Sequence, residues 1–270
     1  MTISADELYG ELWAADQSAL DAELAQSLEP RATTTLYEVF AELGVASEHV
    51  ILDAGARDAV HSIEIVREIG CRAVAVDPVP LHVERARERV AAAGFEDRIQ
   101  VTQAALESLP FDDVAFDYIW CRDVLNHVKL GRAIHECKRV LRPGGSMLVY
   151  QTFATAACEP EEARRLFNAT ATKPENMSPA FFERSAREAG LEIVRSEQLH
   201  GEWRERMLED TRWDVAADLL ALSRLHRGES ALLERHGRAA VEATRGDLLW
   251  GIYQLLGKTC PTIYVLELRA

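Results

Sequence analysis

The sequence predicts an α/β protein: a three-layer α/β/α sandwich around a mostly parallel seven-stranded sheet, with a helical lid. Three observations predict it. From residue 48 onward, short β-branched runs alternate with amphipathic helical runs, the pattern of a parallel sheet wrapped by helices. The early strand candidates are almost continuously apolar, as strands covered on both faces must be. The last strand candidate returns only after a long helical stretch, which suggests a core carrying a cap.

Taken in order, His49 to Asp53 is the first strand, and the helix after it carries Ile65, Val66 and Ile69 on one face, with Gly70 placed to stop it. Ala73 to Asp77 is the second strand. Pro78 and Pro80 lead into a helix with Val83, Ala86 and Val90 at helical spacing, ending near Gly94. Ile99 to Thr102 is the third strand and Phe116 to Cys121 the fourth, separated by a proline-bearing loop from Glu107 to Asp113. A helix with Ile134, Cys137 and Leu141 on one side should end at Arg142-Pro143-Gly144-Gly145, before a fifth strand at Met147 to Tyr150. After residue 153 the pattern loosens, then recovers as a helix from Pro179 to Glu188 and a strand at Leu191 to Val194. Thr262 to Leu266 closes the chain. Within the helical insertion from Glu202 to Lys258, Trp213, Ala216, Ala217 and Leu220 form one stripe and Leu249, Ile252, Tyr253 and Leu256 another. Arg204, Glu205, Arg206, Glu209 and Asp210 read as a solvated face.

With 270 residues and no repeat or long Pro/Gly/Ser linker, one domain is expected. Residues 1–33 form an N-terminal helical cap, residues 34–153 the ligand-binding core, and residues 154–270 the remaining strands with a lid at about 200–258. Hydrophobic residues make up 48% and no run approaches the roughly 20 apolar residues of a membrane span. The acidic N-terminus lacks the basic and apolar regions of an export signal, so a cytoplasmic protein with no membrane partner is expected. A net charge of -14 argues against nucleic acid as a partner, since that affinity comes mainly from Lys and Arg on phosphates. Five scattered cysteines contain no Cys-x-x-Cys pair, so no metal is expected.

In an open parallel sheet, ligands collect at the carboxyl ends of the strands near the switch point. Asp53-Ala54-Gly55-Ala56-Arg57-Asp58-Ala59 leaves the first strand there. Gly55 lets the backbone approach a ligand, and the helix that follows offers its N-terminal amides to an anion. Asp77 follows Asp53 by 24 residues (77 minus 53), near the offset of about 20 at which an acid meets ribose hydroxyls. Cys121 to His127 leaves the fourth strand at the same end.

These pieces together resemble the class I, Rossmann-like methyltransferases dependent on S-adenosylmethionine, of the small-molecule type. Val50-Ile51-Leu52-Asp53-Ala54-Gly55-Ala56 resembles the family's first motif and Ala75-Val76-Asp77-Pro78 its second. Leu109-Pro110-Phe111-Asp112-Asp113 with Phe116-Asp117 resembles the usual loop and start of strand four. Trp120 to Val128 resembles the fourth motif, and Arg139 to Gly145 the helix exit before strand five. The ordered match covers about residues 48–153.

The resemblance implies S-adenosylmethionine as cofactor, S-adenosylhomocysteine as product, and methyl transfer to an O, N or C centre of a small molecule. It assigns the methionine part to Gly55, Ala56 and Arg57 and the ribose to Asp77, with Asp53 and Cys121 at the same strand ends. Pro78 and Leu106 would flank the adenine, with Ala105 and Glu107 beside it. Arg122 and Asp123 would border the sulfonium and acceptor, and His127 is the candidate base. Asn126, Gln151, Phe153, Trp203, Trp250 and Tyr253 would wall the acceptor pocket. The sequence leaves the oligomeric state open, with a homodimer as one candidate. Two positions depart from the pattern: Arg57 and Ala59 stand where glycines are usual, and Ala105 where an acid commonly meets the adenine. A protein of this fold with non-methylating chemistry, or a non-catalytic binder, is the alternative. A dinucleotide oxidoreductase is disfavoured, because no Gly-x-Gly-x-x-Gly follows the first strand.

Overall fold

The computed structural model describes residues 4–7, 18–25, 31–211 and 214–269. After α1 (Ser18–Leu24) and α2 (Thr35–Glu42), strands and helices alternate as β1 (Val50–Ala54), α3 (Val60–Ile69), β2 (Arg72–Asp77), α4 (Pro80–Ala93) and β3 (Ile99–Gln103). The chain then crosses to β4 (Phe116–Arg122), α5 (Leu130–Val140) and β5 (Leu141–Ala154). Next come α6 (Pro160–Ala169), a 3-10 turn (Pro174–Met177), α7 (Pro179–Glu188), β6 (Glu192–Gln198), α8 (Glu202–Glu209), α9 (Val215–Arg227), α10 (Glu229–Leu255) and β7 (Thr259–Glu267).

These strands form one sheet of seven in the order β3-β2-β1-β4-β5-β7-β6. β7 runs antiparallel to both neighbours and the other pairings are parallel. β1 lies between β2 and β4, with Leu52 opposite Val74 and Ile119, so the switch point falls where the sequence placed it.

Alternation along β1 explains its unbroken apolar run. Leu52 faces the layer of Ile119, Ile134, Phe153 and Phe182 under α5 and α7, whereas Ile51 faces Phe40, Ile63, Ile65 and Trp120 under α2 and α3. A third cluster joins Leu166 and Phe167 of α6, Met177, and Leu249, Ile252 and Tyr253 of α10. Glycines close α3 and α4 as expected, Gly70 and Gly94 both adopting left-handed φ.

Several expected boundaries move. β5 begins at Leu141, so Arg142-Pro143-Gly144-Gly145 falls within its span rather than before it, with Gly144 at φ +78°. Its pairing with β4 slips between Phe116 and Tyr118, an irregularity that absorbs residues unsuited to a regular strand. α6 lies where no element was expected, although Pro160 at its first turn and a capping box between Glu159 and Glu162 announce it. β6 runs four residues past Val194 as an edge strand. On α9, Ala216, Ala217 and Leu220 are exposed, whereas Val215, Leu222 and Leu225 turn inward, so the expected stripe is on the wrong face. Trp213 lies outside the described residues. Leu256 is exposed too, just beyond the end of α10. Among the described residues no helix is long and apolar enough to cross a membrane.

Candidate active site

The turn after β1 is sewn to β2 by main-chain bonds. The N–H groups of Gly55 and Ala56 both donate to the Val76 carbonyl, at 2.9 and 2.8 Å. Gly55 has φ +80°, and a Cβ there would lie 2.3 Å from Cγ2 of Val124, so this turn and the β4 exit press on each other where only glycine fits. Arg57 and Ala59 also have positive φ, 52° and 59°. The left-handed geometry that glycines usually supply is therefore kept by residues that bear a Cβ, at a cost of about 1 to 2 kcal/mol each. Arg57 is exposed, and Asp58 pairs with Arg89 at 2.9 Å.

The two strand-end acids have different surroundings. Asp53 is buried and accepts from Ser62 Oγ at 2.5 Å; burial pushes its carboxyl up to about 6, against the pull of Ser62. Asp77 accepts the Arg57 N–H on Oδ2 at 3.0 Å, and the Val79 N–H and His82 Nδ1 on Oδ1 at 2.9 and 3.0 Å. The Arg57 amide is thus spent within the protein. Pro78 is exposed beside it, but Leu106 has its side chain in the core with Val76, Leu109 and Leu125, so it presents no face for an adenine ring. Ala105 is exposed, and Glu107 accepts the Lys129 N–H at 3.0 Å.

At the β4 exit the side chains diverge. Cys121 is buried in the α5-side core, its thiol pushed well up by burial. Arg122, on the opposite face, donates through Nη1 to His61 Nε2 at 2.6 Å, and its guanidinium carbon is 5.3 Å from the centre of the Tyr150 ring. His61 Nδ1 is 2.6 Å from the Tyr37 hydroxyl, and Tyr37 stacks on Trp120. Burial and the Arg122 charge hold His61 down at about 4, so it is neutral near pH 7. His61 is therefore part of this corner. Its spacing on α3 carried no sign of that, because its partners come from α2 and β4.

Asp123 has φ 49° and accepts on Oδ1 from the Thr152 N–H at 3.1 Å and the Thr152 hydroxyl at 2.9 Å. Burial raises its carboxyl; Arg122 and Thr152 work against the rise. Gln254 Nε2 donates to Thr152 Oγ1 at 3.0 Å, and Arg204 Nε donates to Gln254 Oε1 at 2.7 Å. Every donor in this chain points toward Asp123, so a guanidinium on α8 is linked through α10 to the β4 exit. Arg204, expected on a solvated face, is instead tied to a buried glutamine; Arg206 pairs with Glu209 and Asp210 as that face predicts.

Asn126 and Gln151 are buried amides that donate to the Thr152 carbonyl and Met177 sulfur, and to the Asn176 carbonyl, respectively. Their own oxygens are buried without a partner. His127 is exposed, with Nδ1 3.3 Å from the Ala171 carbonyl. Phe153 packs on Phe182 and Tyr264 in the core. Of the three lid aromatics, Trp203 is buried against Tyr150 on the α3 side of the sheet, whereas Trp250 and Tyr253 belong to the separate α6–α10 cluster. They do not line one wall.

A family model described as a methyltransferase domain matches residues 52–149. A glycine/sarcosine/dimethylglycine N-methyltransferase from Actinopolyspora halophila is 26% identical over 72% of this chain and 35% of its own length. A methyltransferase from Streptomyces halstedii is 33% identical over 50% of this chain and 47% of its own. The chain therefore spans half or less of these relatives. Among solved structures, a [4+2]-cyclase, SpnF, superposes with a TM-score of 0.69 at 17% identity, covering 100% of this chain and 98% of that one. Strand order, glycine turn and strand-end acid agree with the matched segment: residues 52–149 are similar to a methyltransferase domain, carried on a Rossmann-like α/β fold.

Proposed function

We propose that this chain transfers a methyl group from S-adenosylmethionine to an O, N or C centre of a small metabolite. The observation that carries the reading is the meeting, at the switch point of the sheet, of the Gly55 turn with the β4 exit, with Asp77 closing β2 beside them.

The residues fit the cofactor. A carboxylate offers about four lone-pair sites, and three on Asp77 are occupied, which leaves one on Oδ2 for a ribose hydroxyl. The partly exposed His82 can yield a second. Gly55 and Ala56 would lie under the methionine part, and Val124 is the side chain that must give way there. When bound, S-adenosylmethionine supplies a methyl group on a cationic sulfur, an electrophile with a good leaving group. The protein's task is then mainly to hold the acceptor in line. Asp123 is positioned by Thr152, and its raised carboxyl takes up the proton an N–H or O–H acceptor releases. Asn126 and Gln151 hold two unpartnered buried oxygens for acceptor donors.

Residues 200–258 form the lid of a single domain in this reading; most of the expected N-terminal cap, residues 1–33, lies outside the described residues. The net charge of -14 suits a small-molecule acceptor better than nucleic acid, a cytoplasmic location accords with it, and a homodimer is the assembly to test. A second reading, non-methylating chemistry on the same scaffold, is favoured by Arg57 and Ala59 at glycine positions.

Calorimetric titration with S-adenosylhomocysteine tests the proposal. The wild type should bind, and Asp77→Ala should bind at least about tenfold more weakly while still unfolding cooperatively. A wild type without affinity sinks both readings. Binding without transfer of labelled methyl to any component of a metabolite extract selects the second.

A further inference from the structure

Among the described residues, three partly or fully buried guanidinium groups away from this corner sit on carboxylates. Arg245 is held by Glu229 and Glu242, Arg139 by Glu136 and Asp113, and Arg195 by Glu42 and Glu197. Arg122 is the exception at the candidate site: half-buried at the end of β4, it has a neutral imidazole and an aromatic face as neighbours, and no carboxylate among the described residues within ion-pair distance. The acid next to it feels its charge but makes no ion-pair contact with it, because Asp123 is turned to Thr152. A cation taken partly out of water without an anion is costly, and the fold carries that cost at the mouth of its ligand site.

The same corner also fixes the direction of the guanidinium. An arginine N–H can only donate, so His61 Nε2 must be the unprotonated nitrogen, and Nδ1 carries the proton and donates to the Tyr37 oxygen. Tyr37 is in turn stacked on Trp120, with ring centres 5.2 Å apart. His61 is thus a neutral strut braced by α2 and β4, and it leaves the Nε and Nη2 side of the planar fork without a partner. That fork matches the two oxygens of a carboxylate.

We propose that Arg122 is the carboxylate anchor of the candidate site, with His61 and Tyr37 as the positioning residues that aim it. The inference rests on the adenosyl reading of the site. The carboxylate belongs either to the methionine end of the cofactor or to the acceptor.

The experiment compares S-adenosylhomocysteine with 5′-methylthioadenosine, which lacks the amino-acid end, and measures acetate binding to the nucleoside-saturated protein by NMR. Arg122→Gln should lower affinity for S-adenosylhomocysteine about tenfold or more with 5′-methylthioadenosine unchanged if the cofactor supplies the carboxylate. Loss of acetate binding with S-adenosylhomocysteine unchanged assigns it to the acceptor. Arg122→Lys, which keeps the charge and loses the fork, should fall between. His61→Leu should lower the same affinity by a smaller factor, and His61→Gln, which restores an acceptor, should recover it. Wild-type values for both S-adenosylhomocysteine and acetate in a folded Arg122→Gln protein overturn the assignment. If the wild type binds neither nucleoside, the adenosyl reading fails by itself, and the acetate measurement, then made on the free protein, still decides on Arg122.

Discussion

The two sides of the candidate site are built differently. The turn after β1 is held by its own backbone: two amides on one β2 carbonyl, a third on Asp77, and three residues at positive φ within five positions. The exit of β4 is held by side chains from α2, α3, β5, α8 and α10, drawn from positions up to 102 residues apart in a single hydrogen bond. A backbone-built wall tolerates changes of side chain as long as φ can be met, but admits no Cβ at its contact point. A side-chain wall fails one partner at a time.

The largest effect expected from this contrast is Gly55→Ala. The added methyl must displace Val124, and φ +80° is strained for alanine, so a loss of about 2 to 4 kcal/mol in denaturant unfolding is expected, with S-adenosylhomocysteine binding abolished. Adding Val124→Ala should restore the packing share of that loss and leave the strain. Full recovery would mean φ carries no cost here.

A second effect sets the acid of one wall against the imidazole of the other. Asp53 is raised from its ordinary 3.8 to about 6, so the stability it contributes is present below about 4 and lost as pH rises toward 6. His61 is lowered from 6.5 to about 4, so its contribution is present above 6.5 and lost as pH falls toward 4. Each is worth on the order of 3 kcal/mol over its full window, and the two slopes oppose. Relative to wild type, Asp53→Asn should make stability rise more steeply with pH between about 4 and 6, and His61→Gln should make it rise less. Parallel curves for all three proteins would refute both shifts.

Thr152→Val removes the hydroxyl between Asp123 and Gln254 at nearly constant volume. A loss of about 1 to 3 kcal/mol and a further rise of the Asp123 carboxyl are expected, read from thermal unfolding and from the acid limb of the pH–rate profile. An unmoved limb would detach Thr152 from Asp123. The smallest effect belongs to Arg57→Gly. It relieves an exposed left-handed residue while loosening the unfolded chain, for a net gain of roughly 0.5 kcal/mol.

The β1 wall was legible before folding because its parts are close in sequence: an apolar run, a glycine and an acid 24 residues on. The β4 wall was only half legible. Arg122 and Asp123 were identified by position, but His61 and Tyr37 were not, and Arg204 was assigned to solvent. Trp203, Trp250 and Tyr253 were grouped by residue type, though they lie in different clusters. α6 had a proline and a capping box to announce it, whereas the start of β5 at Leu141, ahead of Pro143 and two glycines, had no local sign.

By itself, then, the order of residues determined the parallel core, the switch point and the strand-end acid, since those follow from hydrophobic period and backbone freedom over short spans. Only the tertiary structure decided which charges are neutralised. Whether Arg122 meets a carboxylate or an imidazole depends on which distant elements pack against the end of β4, and no local spacing encodes that choice.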